Sequence, residues 1–178
     1  MADQLSAKDW LDLGLKTLAR HGFTALKAEP LAKAMGVSRG SFYWHFADIG
    51  AYRAAILKHW RDVAAEQVIA NLEASPTDDN PLLLLLRRSF SGKLALENAV
   101  RTWATLDPVA RAAVQATDRR RLNYVQNLFE RSGVPPAVAR SRAQIFYWAF
   151  LGFALSDQPL PKARQQALLE ELMRMALR

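Results

Sequence analysis

Apolar residues recur three or four positions apart along almost the whole chain, and this spacing restricts the fold more than any other feature. Residues at such spacing share one face of a helix, whereas alternate residues share one face of a strand. No segment combines two-residue alternation with an enrichment in β-branched residues. The sequence therefore predicts an all-α protein of about nine helices.

Turn-forming residues predict where individual helices begin and end. Ser6 and Asp9 have the spacing of a capping box, and His21-Gly22 is a typical helix end. The segment SPTDDNP at 75–81 is dense in turn formers and is the best candidate boundary between functional parts. The expected helices lie at about 6–21, 28–35, 39–45, 48–74, from 81 onwards, 108–131, 136–155 and 162–177, with a break at 158–161.

The composition favours a folded protein with a polyanionic partner. The chain has 178 residues, which suits one domain or two small ones, and 51% of them are hydrophobic, so a core can form. The formal net charge is +7, and the sequence pI is about 10.0. Residues 1–61 contain nine Lys or Arg against five Asp or Glu, which makes this part the most basic per residue. Such a charge suits nucleic acid or an anionic membrane surface.

Several kinds of site are disfavoured by the residues present. Cysteine does not occur, so disulfides, thiolate nucleophiles and Cys-ligated metal sites are excluded. The histidines, His21, His45 and His59, are scattered without metal-binding spacing, and neither a nucleophile elbow nor a phosphate-binding glycine loop occurs. We therefore expect no metal, no cofactor and no enzymatic activity.

No segment suits export or membrane insertion. The N-terminus MADQLSAKDW lacks the apolar core of a signal peptide. The most apolar stretch, AQIFYWAFLGFAL at 143–155, is too short to span a bilayer and contains Gln144 and Gly152. We expect a cytoplasmic protein without a membrane partner.

The stretch GVSRGSFYWHF at 36–46 combines small polar residues, an arginine and several aromatic residues. Two short helices joined at Gly36 would form a helix-turn-helix, in which the second helix enters the major groove of DNA. Phe42 and Phe46 lie four residues apart and would anchor this helix in the core. Ser38 would cap the helix, and Gly40 would permit a close approach of backbone to backbone.

The remaining side chains of this stretch are suited to DNA. Arg39 and Ser41 would point outwards at the leading end of the helix, where they can reach base edges. Tyr43, Trp44 and His45 carry a hydroxyl, an indole N–H and an imidazole, which can donate to phosphate oxygens. The alternatives are a solvated surface charge for the arginine and ordinary packing against the next helix for the three aromatic residues.

At these positions the sequence resembles the TetR family of bacterial transcriptional regulators. The segment PLAKAMGVSRGSFYWHFADIGAY matches the helix-turn-helix signature of that family almost position by position, and the likeness covers about residues 6–60. The resemblance implies a DNA-binding domain at 1–47 and a helical ligand-binding and dimerisation domain at 48–178. It also implies a homodimeric repressor that binds palindromic double-stranded DNA and is released by a small-molecule effector.

Three positions depart from the family pattern. Lys27 stands where the family often has Thr at the start of the second helix, and Pro30 replaces a more ordinary helix former. Ile49 occupies the position at which a family lysine usually touches phosphate. The DNA contacts expected from the residues and the resemblance are Lys27, Ser38, Arg39, Gly40, Ser41, Tyr43, Trp44 and His45.

The last two helices are expected to form a dimer interface. The segment 143–155 is apolar on all sides, and such a helix must be buried on all sides. Its own core can cover one side, and a second copy of the chain would cover the other. Leu168 and Leu172 belong to a second apolar face in the last helix. The predicted four-helix interface, which resembles that of the family, uses 136–155 and 162–177 of each chain.

The effector pocket is expected among the central helices of the C-terminal part, as the resemblance implies. The aromatic and leucine content favours a small, mainly apolar or aromatic ligand. Arg101 and Asp118 are either polar anchors or members of salt bridges. The candidate pocket residues, each of which could instead belong to the core, are Leu86, Phe90, Trp103, Tyr124, Phe146, Tyr147 and Phe150.

Two other classes of function remain open from the sequence. A helical enzyme or ligand-binding module would use the C-terminal pocket, but an enzyme would need a titratable pair in an apolar cavity. A module that binds a membrane surface or a partner through charge would not need Gly36, Ser38 and Gly40 at their positions. A DNA-binding regulator explains all three.

Overall fold

A computed structural model describes residues 5–74, 80–91, 94–156 and 160–176. Within these ranges the chain is all-α and its fold is carried by nine helices, so the predicted fold class and helix number are confirmed. Most of the loop predicted at 75–81, and residues 158 and 159 of the break predicted at 158–161, lie outside the described residues.

The helices begin and end close to the turn residues in the sequence. The separation of the helix Pro81–Ser91 from the helix Ala95–Leu106 is not evident from the sequence pattern, and a short 3-10 turn, Phe23–Ala25, precedes the second helix. The helices are α1 Ala7–His21, α2 Ala28–Ala34, α3 Arg39–His45, α4 Ile49–Arg61 continuing through Asp62–Glu66 to Gln67–Glu73, α5 Pro81–Ser91, α6 Ala95–Leu106, α7 Pro108–Arg131, α8 Pro136–Ala154 and α9 Lys162–Ala176.

Side-chain caps explain two of these boundaries. Ser6 and Asp9 form the predicted capping box, in which the Ser6 hydroxyl accepts from the Asp9 backbone N–H at 3.3 Å. The Asp9 carboxylate in turn accepts from the Ser6 backbone N–H at 2.8 Å. At the start of α7, the Asp107 carboxylate accepts from the backbone N–H groups of Val109 at 2.8 Å and Ala110 at 3.2 Å. These bonds satisfy donors that the first turn of a helix leaves unpaired.

A π-helical turn at Asp62–Glu66 changes which side of α4 is buried. Before this turn, Trp60 ends a stripe of residues buried at four-residue spacing. The sequence pattern places Val63 and Val68 on the same stripe, but both are half-buried, and Ile69 is buried instead. The wider turn adds one residue and so rotates the buried stripe by one position.

The first compact unit comprises residues 1–64 and 95–116. Its core is a single cluster in which α1 packs against α4 and α6. An aromatic group forms the centre of this core, where the Phe42 ring lies 5.4 Å from that of Trp10 and 5.1 Å from that of Tyr52. The Phe46 ring lies 4.8 Å from the Tyr52 ring. Phe42 of α3 is thereby fixed against α1 and α4, and Phe46, which follows the helix, is fixed against α4.

The close approach of α1 to α4 depends on Gly14. A Cβ atom at this position would overlap the Tyr52 hydroxyl and the Cδ1 atom of Ile56. The Tyr52 hydroxyl donates a hydrogen bond to the backbone carbonyl of Trp10 at 2.8 Å. Burial raises the pKa of the Tyr52 hydroxyl well above its ordinary value, so the hydroxyl stays protonated and remains a donor.

The second compact unit comprises residues 65–94 and 117–178. In its described part, α5 packs against α9 and α8. The larger of its two apolar clusters contains Phe129 and Phe146, whose rings lie 5.4 Å apart, and the smaller contains Tyr147 and Phe150. The Glu66 carboxylate accepts from the Arg120 guanidinium at 3.1 and 3.2 Å, which ties the π-helical turn of α4 to α7.

The functional division predicted at residues 47 and 48 stays a prediction. The compact units follow packing, and α6 belongs with α1 because the two helices pack closely. The predicted division instead separates a DNA-binding region, 1–47, from a region that binds the ligand and a second chain, 48–178. Packing alone does not test it.

We expect Gly14→Ala to lower the free energy of unfolding by about 1–3 kcal/mol, because the added methyl group overpacks a filled core. Chemical denaturation measures the change. Gly40→Ala is the matched control, since Gly40 is also helical but its Cβ would meet only the Ser38 Oγ atom at 3.6 Å. The control should leave stability unchanged or raise it by up to about 1 kcal/mol. Equal stability of the Gly14→Ala variant and the wild type would contradict the overlap at Gly14.

Candidate functional site

Helices α2 and α3 form the predicted helix-turn-helix. The turn between them includes Gly36, whose φ of +69° lies in the left-handed region that favours glycine. Leu31 and Ala32 of α2 are buried, as are Phe42 and Phe46 on the inner side of α3 and at its end. The inner side of α3 is thus committed to the core, and its outer side is presented to solvent.

The outer side of α3 carries the residues that the sequence assigns to DNA. Trp44 is 89% exposed and Tyr43 is 43% exposed, so Trp44 does not pack against α4. Arg39 and Gly40 are exposed, and Ser41 and His45 are half-buried. The exposed residues include a cation, a phenol hydroxyl and an indole N–H, which are groups that donate to phosphate oxygens and base edges.

Arg39 and Tyr43 are linked on this outer side, one helical turn apart. The Arg39 Nη2 atom donates to the Tyr43 hydroxyl at 3.1 Å, and the Arg39 Cζ atom lies 5.4 Å from the centre of the Tyr43 ring. The hydrogen bond and the coulombic interaction with Tyr43 raise the pKa of Arg39, which stays charged. Because the hydroxyl accepts from Arg39, its own proton is left to donate to a phosphate oxygen.

The residues at the two N-cap positions of the motif do not cap their helices through their side chains. Lys27 precedes α2 and Ser38 precedes α3, both in extended conformation, and neither side chain makes a capping hydrogen bond. The expected cap from the Ser38 hydroxyl is therefore wrong, although the residue occupies the N-cap position. A Cβ on Gly40 would meet only a side-chain atom, so packing within the chain does not require a glycine there.

Two further residues beside the motif are not evident from the sequence pattern. Asp48 caps α4 by accepting from the backbone N–H of Ala51 at 2.7 Å. Ile49 packs against the core of the first unit, so the position that usually carries a lysine in the TetR family has no positive charge here.

Lys33 lines a shallow groove of about 530 Å³ together with Arg39. The sequence signal that could have indicated Lys33 as a candidate DNA contact is its position as a basic residue in the last turn of α2.

Six of the seven predicted pocket residues lie in the second unit. Leu86, Tyr124 and Phe146 belong to its larger apolar cluster, and Phe90, Tyr147 and Phe150 lie in or against the smaller one. The Tyr124 hydroxyl is buried and has no hydrogen-bond partner among the described residues. These six side chains supply apolar and aromatic surface, together with two phenol hydroxyls.

Trp103 lies apart from the other six, in the core of the first unit. Its ring stacks on that of Phe23 with centres 5.6 Å apart and planes 2° apart. Its indole N–H donates to the Asp107 carboxylate at 3.0 Å. Arg101, a candidate polar anchor, forms an ion pair with the buried Glu97 at 2.8 Å. Both residues therefore have structural partners in the first unit.

A polar network crosses the smaller apolar cluster of the second unit. The Tyr147 hydroxyl donates to the Asp118 carboxylate at 2.6 Å, and the Arg121 Nη1 atom lies 3.5 Å from the same hydroxyl. The Arg121 Cζ atom also lies 5.6 Å from the centre of the Phe150 ring. Burial and, to a lesser degree, the bond to Asp118 raise the pKa of Tyr147, so the phenol remains neutral.

Helix α8 divides into a buried and an exposed apolar side. Ala143, Phe146 and Phe150 are buried, whereas Ile145 is 53% and Trp148 is 61% exposed. The sequence suggests an interior position for every side of this helix, but within one chain only one side is covered. In α9, Leu168 and Met175 are exposed, and Leu172 packs against the larger cluster of the second unit.

Among the described residues, no helix is both long and apolar enough to cross a bilayer. The same residues contain no group of three or more His, Asp or Glu side chains that could hold a metal ion.

The helix-turn-helix geometry agrees with a match at the level of protein families. Residues 11–51 match the model that describes bacterial regulatory proteins of the TetR family. Over this segment the resemblance to the TetR family that the sequence indicates is confirmed. The match agrees with both predictions, a DNA-binding transcriptional regulator and no enzymatic activity.

Solved structures share the fold of this chain. Reduced NemR of Escherichia coli is 19% identical with a TM-score of 0.72, over 96% of this chain and 94% of that one. The multidrug-binding protein EbrR in complex with malachite green is 17% identical with a TM-score of 0.63, over 95% and 96%. BioQ with its natural double-stranded DNA operator is 19% identical with a TM-score of 0.51, over 98% and 99%. No curated protein matches the chain.

We expect Arg39→Ala to remove base discrimination at a specific position of the binding site, by about 1–3 kcal/mol if the arginine contacts a guanine. Tyr43→Phe should lower affinity and also weaken the preference at that position, because the phenylalanine no longer holds the guanidinium. Selection of binding sites from random duplexes measures both effects. An unchanged preference at every position in Arg39→Ala would exclude base recognition by Arg39.

Lys27→Ala is the comparison variant for Arg39→Ala and Tyr43→Phe. A lysine on a phosphate adds affinity without sequence preference, so we expect uniform weakening on all duplexes. The slope of log K against log salt should become shallower by about 0.9. The same slope and affinity as the wild type would remove Lys27 from the DNA-binding surface.

Proposed function

We propose that the chain is a homodimeric repressor that binds a palindromic operator and is released from it by a small apolar or aromatic ligand. The observation that carries the dimer is the exposed apolar side of α8. Four apolar residues are exposed here, namely Val138, Ile145 and Trp148 in α8 and Leu155 directly after it. They follow one another at spacings of seven, three and seven residues. Such spacing places all four on one side of a helix, as in a packed helical interface.

The apolar residues of α9 support the same proposal. Leu168 and Met175 are exposed and lie seven residues apart, so they share one side of α9. Exposed apolar residues at helical spacing on two helices are what a four-helix interface of two chains requires. A homodimer would present two copies of α3 to the DNA, and this matches a palindrome whose half-sites lie about one helical turn apart, roughly 34–36 Å.

We expect Trp148→Glu to convert the protein into a monomer, since an unpaired charge in a desolvated interface costs several kcal/mol. Sedimentation velocity at micromolar concentration measures the change. Trp44→Glu is the matched control, because Trp44 is equally a solvent-exposed tryptophan but lies on α3. It should remain dimeric and lose DNA binding. A wild-type protein that sediments as a monomer would contradict the proposed dimer.

The apolar clusters of the second unit support the proposed ligand. Phe90 and Phe150 meet edge to face with ring centres 6.4 Å apart, and Phe153 lies 5.2 Å from Phe90. The Tyr147 hydroxyl and the Arg121 guanidinium place polar groups beside these rings. Aromatic walls with a few polar groups suit a flat aromatic compound, with the polar groups fixing its orientation. EbrR, which shares the fold, is a multidrug-binding protein whose structure was solved in complex with malachite green.

We expect a screen of small aromatic compounds to find ones that release the protein from its selected operator. By linkage, such a compound must bind more weakly to the DNA-bound protein, by the same factor as it weakens DNA binding. Tyr147→Phe should reduce the response to the compound and leave operator affinity unchanged in its absence. A compound with equal affinity for free and operator-bound protein would argue against this mode of release.

A further inference from the structure

A second site in the second unit has the dimensions of a small-molecule pocket. An open groove of about 890 Å³ lies between the end of α4, α5 and α9, within the range of about 300–1,000 Å³ that is typical of ligand sites. Its wall is partly apolar and partly basic. The residues that matter for its chemistry are Leu72, Leu84, Leu169, Met173, Arg87 and Arg88.

The apolar part of the groove is a continuous surface from three helices. Leu72 is buried at the base, while Leu84, Leu169 and Met173 are half-buried. Half-buried side chains of this kind still expose methyl and methylene groups to solvent. Each CH₂ group that a ligand buried against them would raise its affinity by about fourfold.

The charged groups of the groove favour an anion. Arg87 and Arg88 are exposed, and they follow Leu84 by three and four residues, so both lie next to it on the surface of α5. Glu170 is the acidic residue of the lining, and its carboxylate already accepts a hydrogen bond from the Gln166 side-chain amide at 3.0 Å. Two arginines against one glutamate give the lining of the groove a net positive charge, and arginine binds carboxylates in a bidentate manner.

The groove lies away from the apolar side of α9 that the proposed dimer would cover. Gln166 lines the groove and Met175 is exposed, and the two are nine residues apart, which places them about 180° apart around a helix. Leu168 lies on the same side as Met175. Dimerisation through that side would leave the groove accessible.

From these observations we infer that the groove binds an amphiphilic carboxylate, with its aliphatic chain on Leu72, Leu84, Leu169 and Met173 and its carboxylate at Arg87 and Arg88. This ligand differs in class from the aromatic compound proposed for the cluster around Tyr147. The groove is therefore a second ligand site, and it is independent of whether the proposed effector release is correct.

Calorimetric titration of the full-length protein with decanoate, below its micellar concentration, tests the ligand class. We expect saturable binding, and weaker binding of octanoate by about tenfold or more, because two buried CH₂ groups are lost. Decyltrimethylammonium has the same chain with the opposite charge and should not bind measurably. Equal binding of the anionic and cationic amphiphiles, or no saturable binding of decanoate, would overturn the inference.

Variants locate the binding in the groove. Arg87→Glu should weaken decanoate binding by about tenfold, whereas Arg140→Glu, which reverses an exposed charge on α8, should leave it unchanged. Circular dichroism establishes that both variants are folded, and Leu84→Glu provides a second disruption from the apolar side. Equal loss in Arg87→Glu and Arg140→Glu would show that decanoate responds only to net charge. Conversion of Arg87→Glu to a monomer would show instead that the groove is an interface between chains, and this outcome would also overturn the inference.

Discussion

The packing of Phe42 between Trp10 and Tyr52 is the interaction on which the DNA-binding surface depends. Helix α3 has only seven residues, and a helix of this length is not stable in water without tertiary contacts. Its position is set by the edge-to-face contacts of Phe42 with α1 and α4. Those contacts in turn require α1 and α4 to approach closely, and the absence of a side chain at Gly14 makes this approach sterically feasible. A backbone position inside α1 therefore controls the placement of a surface helix.

The exposed chemistry of α3 follows from the same packing. Phe42 is buried, whereas Arg39 and Tyr43, which lie one turn apart on the adjoining side of α3, are exposed. The bond between Arg39 and Tyr43 then reduces the freedom of a long side chain before DNA is present. A guanidinium held in place loses less conformational entropy on binding than one that is free. Core packing and recognition are thus linked through the register of one short helix.

Much of this organisation is readable from the sequence, and the remainder depends on contacts between distant residues. Local signals predict the helices, the capping box at Ser6 and the helix-turn-helix, because each involves residues within one or two turns. The burial of Ile69 in place of Val68 is not predictable in this way, since the π-helical turn shifts the phase without a turn-forming residue. Nor does the sequence show the role of Gly14, whose neighbours Tyr52 and Ile56 lie on another helix.

The candidate sites show the same limit. The sequence indicates that Trp103 is apolar and buried, but it does not indicate which core receives it. Helix α6 packs on α1, and Trp103 consequently stacks on Phe23 in the first unit rather than joining Tyr147 and Phe150. Periodicity defines the side of a helix that is buried, and only the tertiary arrangement defines its partner.

Helix α8 shows how one apolar helix can present two different surfaces. Tyr147 is buried in a cluster of its own unit, and the next residue, Trp148, faces solvent, since consecutive residues lie about 100° apart around a helix. In the proposed function these neighbours would contact the effector and the second chain respectively. A rotation of α8 that accommodates a ligand at Tyr147 must then also move Trp148, because side chains on one rigid helix cannot turn independently. The coupling between ligand and DNA would accordingly pass through the dimer interface as well as through the packing of each chain.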